Sequence, residues 1–213
     1  METTSKNPVN SLYTIGHSNH PIEHVLHLLS LHRISAVADV RSIPFSRYTP
    51  QFNQGPLQKA VREAGMEYVF LGKEFGARSE DPACYEKGKL HFGLVAQTEL
   101  FQNGLARIRK GVETYRIALL CAEKDPITCH RMILVCRHLK RHIPVILHIL
   151  EDGRTEENPQ AERRLRNSLG IQETHLFATL EELTDEAYDI QGKRIAHEEK
   201  PQDEKAHEEK RDE

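Results

Sequence analysis

The sequence predicts a three-layer α/β fold: a mostly parallel sheet of about five strands with helices on both faces, followed by a disordered charged C-terminal tail. Three observations lead there. Apolar segments of strand length alternate with segments of helical periodicity. The strand segments are almost continuously apolar, as parallel strands covered on both sides must be. Beyond residue 190 apolar side chains nearly disappear, leaving too little surface to bury.

In chain order, residues 12–15 form the first strand, which runs into Gly16, His17, Ser18, Asn19 and His20. Pro21 suits the opening of a helix whose Ile22, Val25, Leu26, Leu28 and Leu29 share one broad apolar face. Residues 34–40 are the second strand, with Asp39 and Arg41 at its end. The stretch SIPFSRYTPQFNQGP then holds three prolines and three aromatics, too irregular for a strand and too aromatic for a passive linker. A helix at 57–64 is closed by Gly65, and residues 67–71 are the third strand. The loop GKEFGARSEDPACYEKGK leads to one long helix at 92–110. Residues 116–121 form the fourth strand, a helix opened by Asp125 and Pro126 follows, and Pro144 precedes the fifth strand at 145–150. Charged amphipathic patterns at 158–169 and 180–188 predict two shorter helices.

The domain plan is a flexible N-terminus at 1–10, a single α/β domain at 11–170, a helical extension at 171–190 and a disordered charged tail at 191–213, where AHEEK occurs twice. With 213 residues, 38% hydrophobic content, no tryptophan and a mean hydropathy of -0.59, the chain reads as soluble. No apolar run reaches the ~20 residues a bilayer span needs, so no membrane partner is expected. The opening METTSKNPVN lacks the apolar core of a secretory signal, which predicts a cytoplasmic location. Four cysteines without an export signal are then expected to be reduced thiols. A net charge of -3 argues against bulk attraction to polyanions.

The densest chemistry lies in LLCAEKDPITCHRMILVCR, which crosses from strand to helix. Cys121 and Glu123 leave the strand, while Cys129, His130 and Arg131 enter a helix whose unpaired N–H groups favour an anion or a thiolate. In an open parallel sheet, ligands bind beyond the carboxyl ends of the strands. Those ends carry His17 and Asn19, Asp39 and Arg41, Cys121 and Glu123, and His148.

Five blocks, TIGHSN, ADVRSIPFSRYTPQF, LGKEFGAR, LLCAEKDPITCHR and VILHIL, occur in an order that closely resembles the bacterial and archaeal domain-of-unknown-function 488 family over about residues 11–170. The resemblance implies a compact α/β domain with His17, Asp39, Arg41, Cys121, Glu123, Cys129, His130 and Arg131 at the positions that define the family. It implies no assigned activity. Family members often carry a doubled glycine where this chain reads Gly72-Lys73.

The catalytic candidates are Asp39, Glu123, Cys129, His130 and His17. Asp39 and Glu123 are a titrating pair that could divide acid and base duties. Cys129 suits a nucleophile, or a small residue packing the helix. The substrate-binding candidates are Asn19, Arg41, Arg47, Tyr48, Arg78 and Arg131. The guanidinium forks of Arg41, Arg47, Arg78 and Arg131 match phosphate, with ion pairing to Asp39, Glu74 or Glu123 as the alternative. Phe45, Tyr48, Phe52 and Phe75 offer faces for a base. Cys121, Cys129 and His130 could hold zinc or iron, with His17 or His148 as a fourth ligand, although no standard metal spacing is present. The cofactor is left open. The expected function is an enzyme, hydrolase or transferase, acting on a nucleotide or nucleic-acid-derived, phosphate-bearing substrate. The alternatives are a nucleotide- or anion-binding sensor without turnover, and a Cys–Cys–His thiol or metal redox site.

Overall fold

A computed structural model describes residues 11–172 and 177–198. The flexible segment expected at 1–10 and the tail beyond 198 lie outside the described residues. Eight strands occur among them: β1 (Ser11–Gly16), β2 (Ala36–Asp39), β3 (Glu67–Phe70), β4 (Tyr85–Glu86), β5 (Lys89–Leu90), β6 (Ile117–Cys121), β7 (Val145–Ile149) and β8 (Thr155–Glu157). Six form one sheet in the order β3-β2-β6-β1-β7-β8, with β4 and β5 pairing apart as a hairpin. The five predicted strands are all parallel to their neighbours, and β8 adds an antiparallel edge. Its Thr155, Glu156 and Glu157 carry no apolar signature, because an edge strand can leave its side chains in water.

The helices are α1 (Ile22–Leu31), α2 (Gln54–Glu63), α3 (Gly72–Phe75), α4 (Phe92–Gln97), α5 (Glu99–Gly111), α6 (Arg137–Leu139), α7 (Asn158–Ser168) and α8 (Leu180–Ile195). Alternation along the strands divides the core in two. Tyr13, Ile15, Val37, Tyr68, Ala118 and Leu120 pack with α1 and α2 on one face. Leu12, Ala36, Ala38, Ile117, Leu119 and Cys121 pack with α4, α5, α7 and α8 on the other. The three-layer architecture follows. No helix among the described residues is long and apolar enough to cross a membrane.

Three elements differ from expectation for identifiable reasons. The single helix at 92–110 is two, because Thr98 leaves helical geometry and its hydroxyl accepts the N–H of Phe101, capping α5. The helix expected after Pro126 begins as a 3-10 turn at Pro126–Thr128, returns to extended backbone at Cys129, and resumes as a π-helix at Arg131–Cys136 that continues into α6. The tail expected to be disordered from 191 instead continues α8 to Ile195. Gln191 donates to the Ile127 carbonyl at 2.9 Å, Gly192 packs against Phe92 and Ile133, and Glu198 bridges to Lys89.

Two features set the carboxyl edge of the sheet. At Gly16 a Cβ would lie 1.9 Å from the Glu123 carbonyl oxygen, so only glycine lets the end of β1 meet the loop after β6. On the α7 side, His148 is fully buried in a polar chain. Its Nε2–H donates to Asn158 Oδ1 at 3.2 Å, and its Nδ1 accepts the Thr14 hydroxyl at 2.8 Å. Asn158, Tyr188 and Lys140 all donate to Glu162 Oε1. Burial, with Arg131 nearby, holds His148 down at about 3.

Gly16→Ala is expected to destabilise the chain by on the order of 3 kcal/mol or prevent folding, read as a lowered urea midpoint. His148 gives a pH signature. Between about 3 in the folded chain and its ordinary 6.5, only the unfolded state takes up the proton. Stability from this residue is therefore complete above 6.5 and falls as pH drops toward 3, by about 1.4 kcal/mol per pH unit. Urea unfolding of the wild type and His148→Gln across pH 7 to 4 should show the shallower slope in the variant.

Candidate active site and metal-ligating cluster

β6 ends at Cys121, and Asp125 turns the chain four residues later by accepting the N–H of Ile127 at 3.2 Å. Arg164 clamps that carboxylate through two bonds of 2.7 Å. Cys129 then takes an extended backbone, with φ -125° and ψ 138°. Its carbonyl accepts the N–H groups of Met132 and Ile133, and its Sγ accepts the Arg131 N–H at 3.4 Å. Cys129 thus caps the π-helix from just outside it, whereas the sequence pattern had it within the first turn.

Glu123 closes the cluster. Its Oε2 accepts S–H contacts from Cys121 at 2.9 Å and Cys129 at 3.0 Å. His130 Nδ1 lies 3.7 Å from Cys121 Sγ, and its Nε2–H donates to the Val40 carbonyl at 3.0 Å. One donor atom from each of the four side chains lies within 4.8 Å of the others. Cys121, Cys129 and His130 are buried, and Glu123 is exposed.

Burial pushes the Cys121 thiol well up. Burial opposes ionisation at Cys129 too, but the Cys121 S–H, the Arg131 guanidinium and His130 outweigh it and hold this thiol well below its ordinary value. His130 is lowered by burial and raised, on balance, by the sulfur of Cys129. Glu123 is raised by desolvation and by the charge at Cys129. The arrangement sets a thiol of lowered proton affinity beside an imidazole of raised proton affinity, with a carboxyl group at the rim suited to carrying a proton.

A second cluster lies toward the other face of the sheet. Asp39 accepts Arg41 Nε at 2.9 Å and Nη2 at 2.7 Å, and also the Tyr68 hydroxyl at 2.8 Å. Arg41 Nη1 donates to His17 Nε2 at 3.1 Å, and His17 Nδ1–H donates to the Ser18 carbonyl at 2.7 Å. Ser18 has a φ of 48°, a left-handed backbone that turns this carbonyl back toward the ring. Phe52 stacks on His17 with centroids 4.1 Å apart. Burial and the adjacent Arg41 lower His17 to about 4, so the ring is neutral near pH 7.

Seven of the sequence-predicted residues divide into two clusters. His17, Asp39 and Arg41 form one cluster, and Cys121, Glu123, Cys129 and His130 the other. Val40 links them, since its carbonyl holds His130 while its flanking residues are Asp39 and Arg41. Arg41 and Arg131, expected to face a ligand, are both engaged within the chain. Arg41 takes the Asp39 pairing that the sequence left as the alternative. Arg131 has no solvent exposure and donates to the carbonyls of Glu123 at 2.5 Å and Lys124 at 3.0 Å and to the Thr14 hydroxyl at 3.3 Å.

Asn19, Arg47 and Tyr48 are exposed on loops at the same edge, Tyr48 at 95%. Arg78 is not with them. It lines a separate cavity of about 740 Å³ with Ser42, Lys73 and Asp81, and that lining includes none of the sulfur cluster. Phe75 is buried in the core and offers no face to a ligand. Neither proposed fourth ligand joins Cys121, Cys129 and His130: His148 is committed to Thr14 and Asn158, and His17 to Arg41 and Ser18. Glu123 takes that place. Sequence reasoning missed Tyr68 and Thr14 as site residues. For Tyr68 the signal was a hydroxyl in a buried strand, which must find a partner.

The family model of a domain of unknown function, DUF488, matches residues 21–137. The span is shorter at both ends than the resemblance drawn from the sequence, so the TIGHSN and VILHIL blocks lie outside it. No curated protein and no solved structure matches the chain. With more than half its length covered, this chain belongs to the DUF488 family.

Proposed function

We propose that the chain is an enzyme acting on a nucleotide or another nucleic-acid-derived, phosphate-bearing substrate at the carboxyl edge of the sheet. One observation carries this reading. Glu123 is an exposed carboxylate of raised proton affinity set against two buried sulfurs. A group that holds its proton more tightly than an ordinary carboxylate, yet meets solvent, is better placed for general acid–base work than an ordinary surface carboxylate. Cys129 and His130 stand behind it for Cys/His chemistry, and His17, Asp39 and Arg41 order the adjoining rim. The exposed Phe45, Arg47 and Tyr48 offer a stacking surface and a cation to a base and its phosphate. Hydrolysis and group transfer both fit these roles. All four cysteines are free and buried, which suits a reducing, cytoplasmic setting.

A second reading, a nucleotide or anion sensor without turnover, is favoured by the burial of the reactive sulfurs, since Cys121 and Cys129 are each 1% exposed. The two readings separate on Glu123→Gln, assayed with nucleoside phosphates, dinucleotides and short RNA. An enzyme loses kcat/KM by roughly 10²–10⁴ while ligand affinity stays within about tenfold. Binding without turnover in the wild type establishes the sensor. Neither turnover nor binding removes both.

A further inference from the structure

Four metal-ligating side chains meet here from three separate backbone positions: the end of β6, the exposed loop after it, and the cap of the π-helix. Two sulfurs, an imidazole nitrogen and a carboxylate oxygen within 4.8 Å of one another are a complete set of donors for a four-coordinate ion. We propose that this cluster is a zinc site, with Cys121 Sγ, Cys129 Sγ and His130 Nδ1 as fixed ligands and Glu123 as an exchangeable fourth.

Several independent features support that assignment. Ligands at normal zinc distances stand roughly 3.3–3.8 Å apart at the corners of a tetrahedron. The 3.7 Å between Cys121 Sγ and His130 Nδ1 is one such edge. The contacts from Glu123 Oε2 to the sulfurs, 2.9 and 3.0 Å, are shorter, so the carboxylate must retreat slightly on metal entry. Glu123 is exposed, and that movement is open to it.

His130 is oriented as metal-bound histidines are. Its Nε2–H donates to the Val40 carbonyl, which leaves Nδ1 as the ring nitrogen available to an ion. The Arg131 N–H donates to Cys129 Sγ, a contact that stabilises a thiolate ligand. Charge balance points the same way. Arg131 is fully buried, and its side-chain hydrogen bonds go to two carbonyls and a hydroxyl rather than to a carboxylate. Zinc held by two thiolates and a carboxylate carries one net negative charge, a fixed counter-charge beside that buried cation.

Three buried, rigid ligands with an exposed fourth form the open type of zinc site, in which water or substrate can take the exchangeable place. Use of that place for catalysis rests on the enzymatic reading above; binding of the ion does not. The test is made on the full chain, reduced with a phosphine and stripped of metal, then titrated with Zn²⁺ and separately with Co²⁺. One zinc per chain by elemental mass spectrometry is expected, together with the sulfur-to-cobalt charge-transfer and ligand-field bands of a tetrahedral thiolate site. Cys129→Ser should weaken zinc binding by at least about tenfold, Glu123→Gln by less, and Cys84→Ala, outside the four-ligand group, should leave it unchanged. Should Cys129→Ser fail to fold, the wild-type cobalt spectrum still decides the matter. Substoichiometric zinc with no thiolate band in the reduced wild type overturns the proposal, and a Cys121–Cys129 disulfide formed when that non-binding protein is then treated with peroxide as oxidant assigns the pair to redox chemistry instead. Zinc bound without turnover of any substrate defeats only the enzymatic reading, and turnover by metal-free protein defeats only a catalytic use of the ion.

Discussion

A guanidinium sealed from solvent holds the carboxyl edge of this sheet together. Arg131 reaches from the π-helix to the carbonyls of Glu123 and Lys124, and so fixes the loop that presents Glu123. It also donates to Thr14 on β1, whose hydroxyl donates in turn to His148, which donates to Asn158 of α7. A single cation thereby ties the central strand, the reactive loop and a helix of the outer layer into one connected polar network. Buried beside the sulfurs, the guanidinium lowers the proton affinity of Cys129, and sulfur charge there in turn favours the cation, so the two groups are electrostatically linked.

Strand alternation divides the chemistry between the faces of the sheet. Cys121 points with Leu119 toward α5 and the π-helix, while Asp39 meets Tyr68 on the side covered by α2. In the strand order, β2 and β6 are neighbours whose following segments cross to opposite faces, the arrangement that opens a crevice between strand ends. The Val40 carbonyl sits at that divide and accepts the His130 ring N–H. One side is rich in sulfur. The other is a neutral imidazole held by an arginine that is itself neutralised by Asp39.

Much of this was visible in the residues. The five parallel strands, the Asp125 cap and the gathering of polar groups at strand ends follow from period, turn chemistry and the rule for open parallel sheets. The π-helix was not visible, because Ile133, Cys136 and Leu139 sit at spacings an ordinary helix would also use. The continuation of α8 past residue 190 was hidden by polar composition: Gln191 and Gly192 are buried by a carbonyl and by Phe92, neither of which marks a helix in sequence.

By itself the sequence determined the fold class and the list of reactive residues, since periodicity and residue chemistry are local properties. The tertiary structure alone decided which partner each polar group took. Arg131 and Thr14 are 117 positions apart, and His130 and the Val40 carbonyl are 90 apart. Such pairings arise from strand order and from close approaches such as that of Gly16 to Glu123, and a group able to bond in several ways takes whichever partner that packing brings within reach.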